Sequence, residues 1–161
     1  MYQHLDLTIE VHAAQALPLP PGDSKASSFR PYVKVELHTE DTEHRLGRHL
    51  PAKAAAAAVA AAGSLAKEGR YKARTHTARG CDPDFKAQPL AFKAVPGVIE
   101  ELTFVRFIVR DDEVGRDELA AWACVRLDRL GLGYRFVHLL DAEGVETEGV
   151  VLIKVTKKLT T

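Results

Sequence analysis

Leu102-Thr-Phe-Val-Arg-Phe-Ile-Val-Arg110, running directly into Asp111-Asp-Glu-Val-Gly-Arg-Asp117, is the stretch from which the fold is read. Val105, Phe107 and Val109 alternate with Phe104, Arg106, Ile108 and Arg110. That is the period of a strand with one face in a core. The strand then meets Asp111, Asp112, Glu113 and Asp117 in what reads as an acidic loop. Like charges so close cost stability unless water, a basic side chain or a metal ion offsets them.

The same alternation recurs elsewhere in the chain. Leu5, Leu7, Ile9 and Val11 alternate with polar residues almost from the first position, as do Val33, Val35 and Leu37 within Pro31-Tyr-Val-Lys-Val-Glu-Leu-His38. Further strands are expected near 70–77, 89–95, 102–110, 119–127, 134–140 and 149–157, separated by turn signals at Gly80, Pro96-Gly97, Gly131 and Gly144. Eight short strands without helical patterns between them predict an all-β, eight-stranded antiparallel β-sandwich. The exception is Pro51-Ala-Lys-Ala-Ala-Ala-Ala-Ala-Val-Ala-Ala-Ala-Gly63, whose alanines, leading Pro and closing Gly favour a short helix. With few large apolar residues to bury, it reads as an Ala-rich insertion over 42–69, between strands two and three of a single domain spanning 1–161.

Composition narrows the function classes. Of 161 residues 46% are hydrophobic, enough for one core. Lys plus Arg and Asp plus Glu both number 22, so net charge implies neither a nucleic-acid partner nor an acidic tail. Residues 1–80 nevertheless carry +3 and 81–161 carry −3, so any electrostatic function is local. The two cysteines are too few for a disulfide framework, and Cys124, in the apolar run 119–125, is expected to be a buried thiol, which fits a reducing intracellular setting. No run reaches the ~20 apolar residues of a membrane span.

Chemistry-bearing motifs are few. There is no nucleophile elbow, phosphate loop, His-Glu-x-x-His or paired Cys-x-x-Cys, and the seven histidines are scattered. Three features remain. Asp111, Glu113 and Asp117 could offer hard oxygen ligands to calcium, the alternative being a solvated polar turn. Arg70, Lys72, Arg74 and His76 alternate with Tyr71, Ala73 and Thr75 and so project from one strand face; with Lys34 nearby they form a surface for phosphates, the alternative being an ordinary charged outer face or a guarded edge. Cys81-Asp-Pro-Asp-Phe85 reads by itself as a turn.

Taken in order, several of these pieces resemble the C2 domain, of the type found at the C-terminus of phosphoinositide-specific phospholipase C. The residues that carry the resemblance are Leu7-Thr-Ile-Glu-Val11 with Ala16-Leu-Pro18, Pro31-Tyr-Val-Lys-Val-Glu36, Thr77 through Gly80-Cys-Asp-Pro83-Asp-Phe85, Leu90-Ala-Phe92, Leu102 through Asp111, Asp128-Arg-Leu130 and Gly133-Tyr-Arg-Phe-Val-His-Leu139. The resemblance implies a sandwich whose loops near 17–31, 78–85 and 111–118 form a membrane-facing tip, and it implies a lipid-binding module. Calcium-binding members carry Asp immediately before Pro-Tyr-Val; here that position is Arg30. Asp111 and Glu113 match third-loop acidic positions, with Asp117 further along and Asp23 a partial substitute. The expectation is a degenerate metal site without a cofactor, Arg30 pairing with Asp111 or Glu113, and calcium-independent binding of an anionic phospholipid surface through Lys34, Arg70, Lys72 and Arg74. A calcium-dependent site is one alternative. Another is a protein-interaction module packing on a phospholipase catalytic domain or partner, with Phe104 and Ile108 as its contact residues. The family's catalytic barrel has no counterpart in this chain, so the expected role is non-enzymatic, cytoplasmic and peripheral to the membrane.

Overall fold

The computed structural model describes residues 3–22, 25–40, 71–113 and 116–161, without the side chains of residues 113, 116 and 117. The 42–69 stretch thus falls outside the described residues. Eight strands follow one another: β1 (Gln3–Gln15), β2 (Pro31–His38), β3 (Lys72–Arg74), β4 (Asp84–Val98), β5 (Phe104–Glu113), β6 (Arg116–Arg126), β7 (Gly133–Asp141) and β8 (Glu146–Thr160). Short 3-10 turns lie at Ala26–Ser28, Glu100–Leu102 and Leu127–Arg129.

All neighbours are antiparallel, in the order β3-β2-β5-β6-β7-β8-β1-β4. The junction β6–β7 is held by only two residue pairs, Ala121 with Asp141 and Trp122 with Leu140. There the sheet turns over, and the two four-stranded halves enclose one core. Leu5, Leu7, Ile9 and Val11 of β1 and Val151, Ile153 and Val155 of β8 meet Val33, Val35 and Leu37 of β2 and Val105, Phe107 and Val109 of β5. Burying side chains of this size stabilises by about 1.5–3 kcal/mol each, which is why strict alternation fixes the register.

The structure departs from the sequence expectation at several points, among them β4, which runs from Asp84 to Val98 rather than over 89–95. β3 ends at Arg74 rather than reaching 77, because Thr75 turns its hydroxyl inward: Val33 N–H donates to Thr75 Oγ1 at 3.0 Å, and that hydroxyl donates to His76 O at 2.8 Å. β5 and β6 run on to Glu113 and from Arg116, so most of the expected acidic loop is strand. Cys124 is exposed, not buried. Ala121 and Ala123 take the inward positions of β6, and Cys124 pairs with Arg106 on the outer face. Between Val109 and Arg110 the β5–β6 register shifts by one residue, a bulge that places both Ala120 and Ala121 in the interior.

Candidate functional site

Three connections meet at one end of the sandwich. Gly80 N–H donates to Phe29 O at 3.0 Å, Ala78 N–H to Pro31 O at 2.8 Å, and Leu17 N–H to Cys81 O at 3.0 Å. Asp82 Oδ1 accepts from Ala16 N–H at 2.9 Å, so the turn at 81–85 anchors the first loop.

Asp111 continues the inward series Val105, Phe107, Val109 and is 2% exposed. A carboxylate on a core-facing strand position must find donors. It accepts the Arg30 backbone N–H at 3.0 Å, while Arg30 O accepts from Asp112 N–H at 2.9 Å. The link between Arg30 and Asp111 is therefore made through the main chain, and the alternative partner expected from sequence, the Glu113 side chain, lies outside the described residues. Asp112 alternates outward, where its Oδ2 accepts from Thr77 Oγ1 at 2.8 Å and lies 3.6 Å from an Arg74 guanidinium nitrogen. The two carboxylates thus face opposite sides, and among the described residues no three His, Cys, Asp or Glu side chains gather as metal ligands. The side chains of Glu113 and Asp117, and Asp23 as a whole, lie outside the described residues.

The outer face of β3-β2-β5-β6 brings the basic residues together. Lys34 is paired with Arg74 and Glu36 with Lys72 across β2–β3, and Glu36 with Arg106 across β2–β5. Arg74 stacks over Tyr32 at 3.6 Å and its guanidinium donates to Thr77 Oγ1 at 3.3 Å, joining this face to the tip. Arg106 lies 6.0 Å from the Trp122 ring. Glu36, only 6% exposed, sits amid these cations. His38 Nε2 is 3.1 Å from its Oε1, Arg106 Nη1 3.8 Å from the same oxygen, and Lys34 Nζ and Lys72 Nζ are each 3.7 Å from Oε2. The hydrogen bond from His38, with the positive charges of Lys72, His38 and Lys34, outweighs burial and lowers the Glu36 pKa to about 2. Of the basic row expected from sequence, Lys34, Lys72 and Arg74 share this face, His76 lies beyond the end of β3, and Arg70 is outside the described residues. Sequence reasoning misses Arg106 and Glu36 as members of this face. The available signal is their period-2 placement, Arg106 with Arg110 on β5 and Glu36 with Lys34 on β2.

Apolar residues on the outer surfaces are distributed differently from expectation. Phe104 is 42% exposed, but Ile108 is 2% exposed, lying between Lys34 on β2 and Trp122 on β6. Larger exposed apolar groups occur instead at Leu132, Tyr134 and Phe136, along β7 and just before it. Among the described residues no helix is long and apolar enough to cross a membrane.

The family model described as C2 domain matches residues 5–50 and 45–141. Among solved structures the chain is similar to PLC21 of L. pealei, with 20% identity and a TM-score of 0.65, and to PLC21 of S. officinalis, with 18% and 0.64; each match covers 99% of this chain and 16% of the other. It is also similar to a C2 domain of plant extended synaptotagmin 1, at 14% identity and a TM-score of 0.62, covering 97% of this chain and 95% of that one. At these identities the likeness is one of fold. No curated protein sequence matches the chain. This chain spans only 16% of the length of the PLC21 chains. With an antiparallel eight-stranded sandwich and a family match across most of its length, the chain belongs to the C2 domain family, a family of lipid- and membrane-binding modules.

Proposed function

We propose that this C2 domain attaches reversibly, and without calcium, to anionic phospholipid surfaces through the outer face of β3-β2-β5-β6. The observation that carries the reading is the gathering of Lys34, Lys72, Arg74 and Arg106 from three adjacent strands onto one face, with Tyr32 and Trp122 beside them. A basic side chain near an anionic leaflet contributes about 1 kcal/mol, so several must act together, and attachment of that strength is reversible. Independence from calcium is supported by Asp111 and Asp112, whose oxygens are engaged by Arg30 N–H, Thr77 and Arg74. Sedimentation with phosphatidylserine vesicles at low salt tests the proposal: wild type pellets with the vesicles, and the Lys34→Ala/Lys72→Ala/Arg74→Ala variant stays in the supernatant. Wild-type protein that fails to pellet, or a triple variant that pellets equally, rejects it.

The likeness to PLC21, which covers 99% of this chain, supports a parent protein of the phosphoinositide phospholipase C kind, in which this module is a targeting or scaffolding part. The direct register of β2 with β3 supports reading 42–69 as an insertion in one domain, because a hairpin needs only a few of the residues that separate them. A second reading, docking on a catalytic domain or another protein, is favoured by exposed Leu132, Tyr134 and Phe136. These lie on and beside β7, away from the basic face. Tyr134→Ser/Phe136→Ser therefore leaves vesicle binding unchanged if the first reading holds.

A further inference from the structure

The cationic face has a carboxylate at its centre. Lys34, Lys72 and Arg106 come from β2, β3 and β5, so only the assembled sheet brings them together, and all three lie within 3.8 Å of a Glu36 oxygen. The oxygens divide the work: Oε2 faces the two ammonium groups, and Oε1 faces the Arg106 guanidinium and His38. Ammonium and guanidinium donors converging on one anion are also the donors a phosphate takes. A buried, fully ionised acid at that point holds them converged when no phosphate is present. It repels any phosphate that then shares them.

We infer that Glu36 is the built-in counter-ion of a phosphate site on this face, gathering Lys34, Lys72 and Arg106 and, by its own charge, keeping the affinity for a headgroup phosphate low. The inference rests on the reading of this face as the lipid-binding surface. It extends that reading by naming the phosphate group as the ligand chemistry and Glu36 as the residue that limits its binding. The carboxylate stays charged throughout the neutral range because its pKa is lowered to about 2, so its opposition is constant rather than pH-gated.

The test compares wild type with Glu36→Gln, which keeps an acceptor for His38 and removes the charge. Glu143→Gln, at an exposed turn residue, serves as a charge-matched control. One arm uses phosphatidylserine vesicles and the other inorganic pyrophosphate followed by NMR, whose spectra also report that each variant is folded. Where Gln disturbs the sheet, Glu36→Thr replaces it, a β-branched residue suited to a strand. Glu36→Gln is expected to bind roughly fivefold more tightly than wild type in both arms, the effect of about one charge at such a surface, with Glu143→Gln close to wild type. A gain with pyrophosphate when no variant binds vesicles upholds Glu36 as the counter-ion and rejects the lipid reading. Vesicle binding by wild type with no gain, or a loss, on removing the Glu36 charge in both arms overturns the inference and leaves the lipid reading standing. No gain in either arm, with no vesicle binding by any variant, overturns both.

Discussion

Two carboxylates show how alternation along a strand assigns work to a residue. Asp111 stands where the series Val105, Phe107, Val109 points into the protein, and its oxygen is committed to the Arg30 N–H. Asp111→Ala leaves that amide without its partner and is expected to lower stability by about 1–3 kcal/mol, measured by denaturant unfolding. An unchanged midpoint would show that the tip rearranges freely around the loss. Glu36 makes a pH prediction. Its folded-state pKa, about 2, is depressed below its ordinary value of 4.5, so the stability it contributes is fully present above about 4.5 and fades as pH falls toward 2. The stability difference between wild type and Glu36→Gln should therefore shrink between pH 5 and about pH 2. A difference that stayed constant over that range would contradict the lowered pKa.

At the scale of elements, the connections matter as much as the strands. Lys157, on β8, reaches across to donate to Glu100 Oε2 and Leu127 O, each at 3.0 Å, tying down the 3-10 turns that flank β5 and β6. Lys157→Met keeps the apolar stem and removes those bonds. It is expected to lower Tm by several degrees, since hydrogen bonds to a charged group contribute about 1.5–3 kcal/mol and 1 kcal/mol corresponds to about 2–4 °C at this size. The existence of all eight strands was legible in sequence, because apolar alternation is a local signal. Their ends were less so. Thr75 stops β3 through a hydroxyl that bonds to β2, and the one-residue bulge opposite Val109 draws Ala120 into the interior. Neither is visible until two strands are paired. Cys124 illustrates the same limit: its apolar neighbours suggest burial, yet Ala121 and Ala123 are the inward residues and Cys124 the outward one.

At the scale of the molecule, the candidate site was half legible. Lys72 and Arg74 on one face follow from period 2, and Lys34 follows from the adjacency of strands two and three. Arg106 and Glu36 join them only through the order β3-β2-β5, which no local pattern encodes. The same order separates the basic face from the exposed apolar residues of β7, in the other half of the sandwich. One domain thereby carries a cationic face on one half of the sandwich and exposed Tyr134 and Phe136 on the other.

On the proposed reading, attachment is electrostatic, local to the basic face and independent of calcium. The most direct test is vesicle affinity across a salt series, in calcium and in chelator, for wild type and for the Lys34→Ala/Lys72→Ala/Arg74→Ala variant. Affinity is predicted to fall steeply as salt rises and screens the exposed charges. It should be equal with calcium and with chelator, and nearly abolished in the variant. Binding that requires calcium, or that is unmoved by salt and by loss of the three basic side chains, would contradict the account.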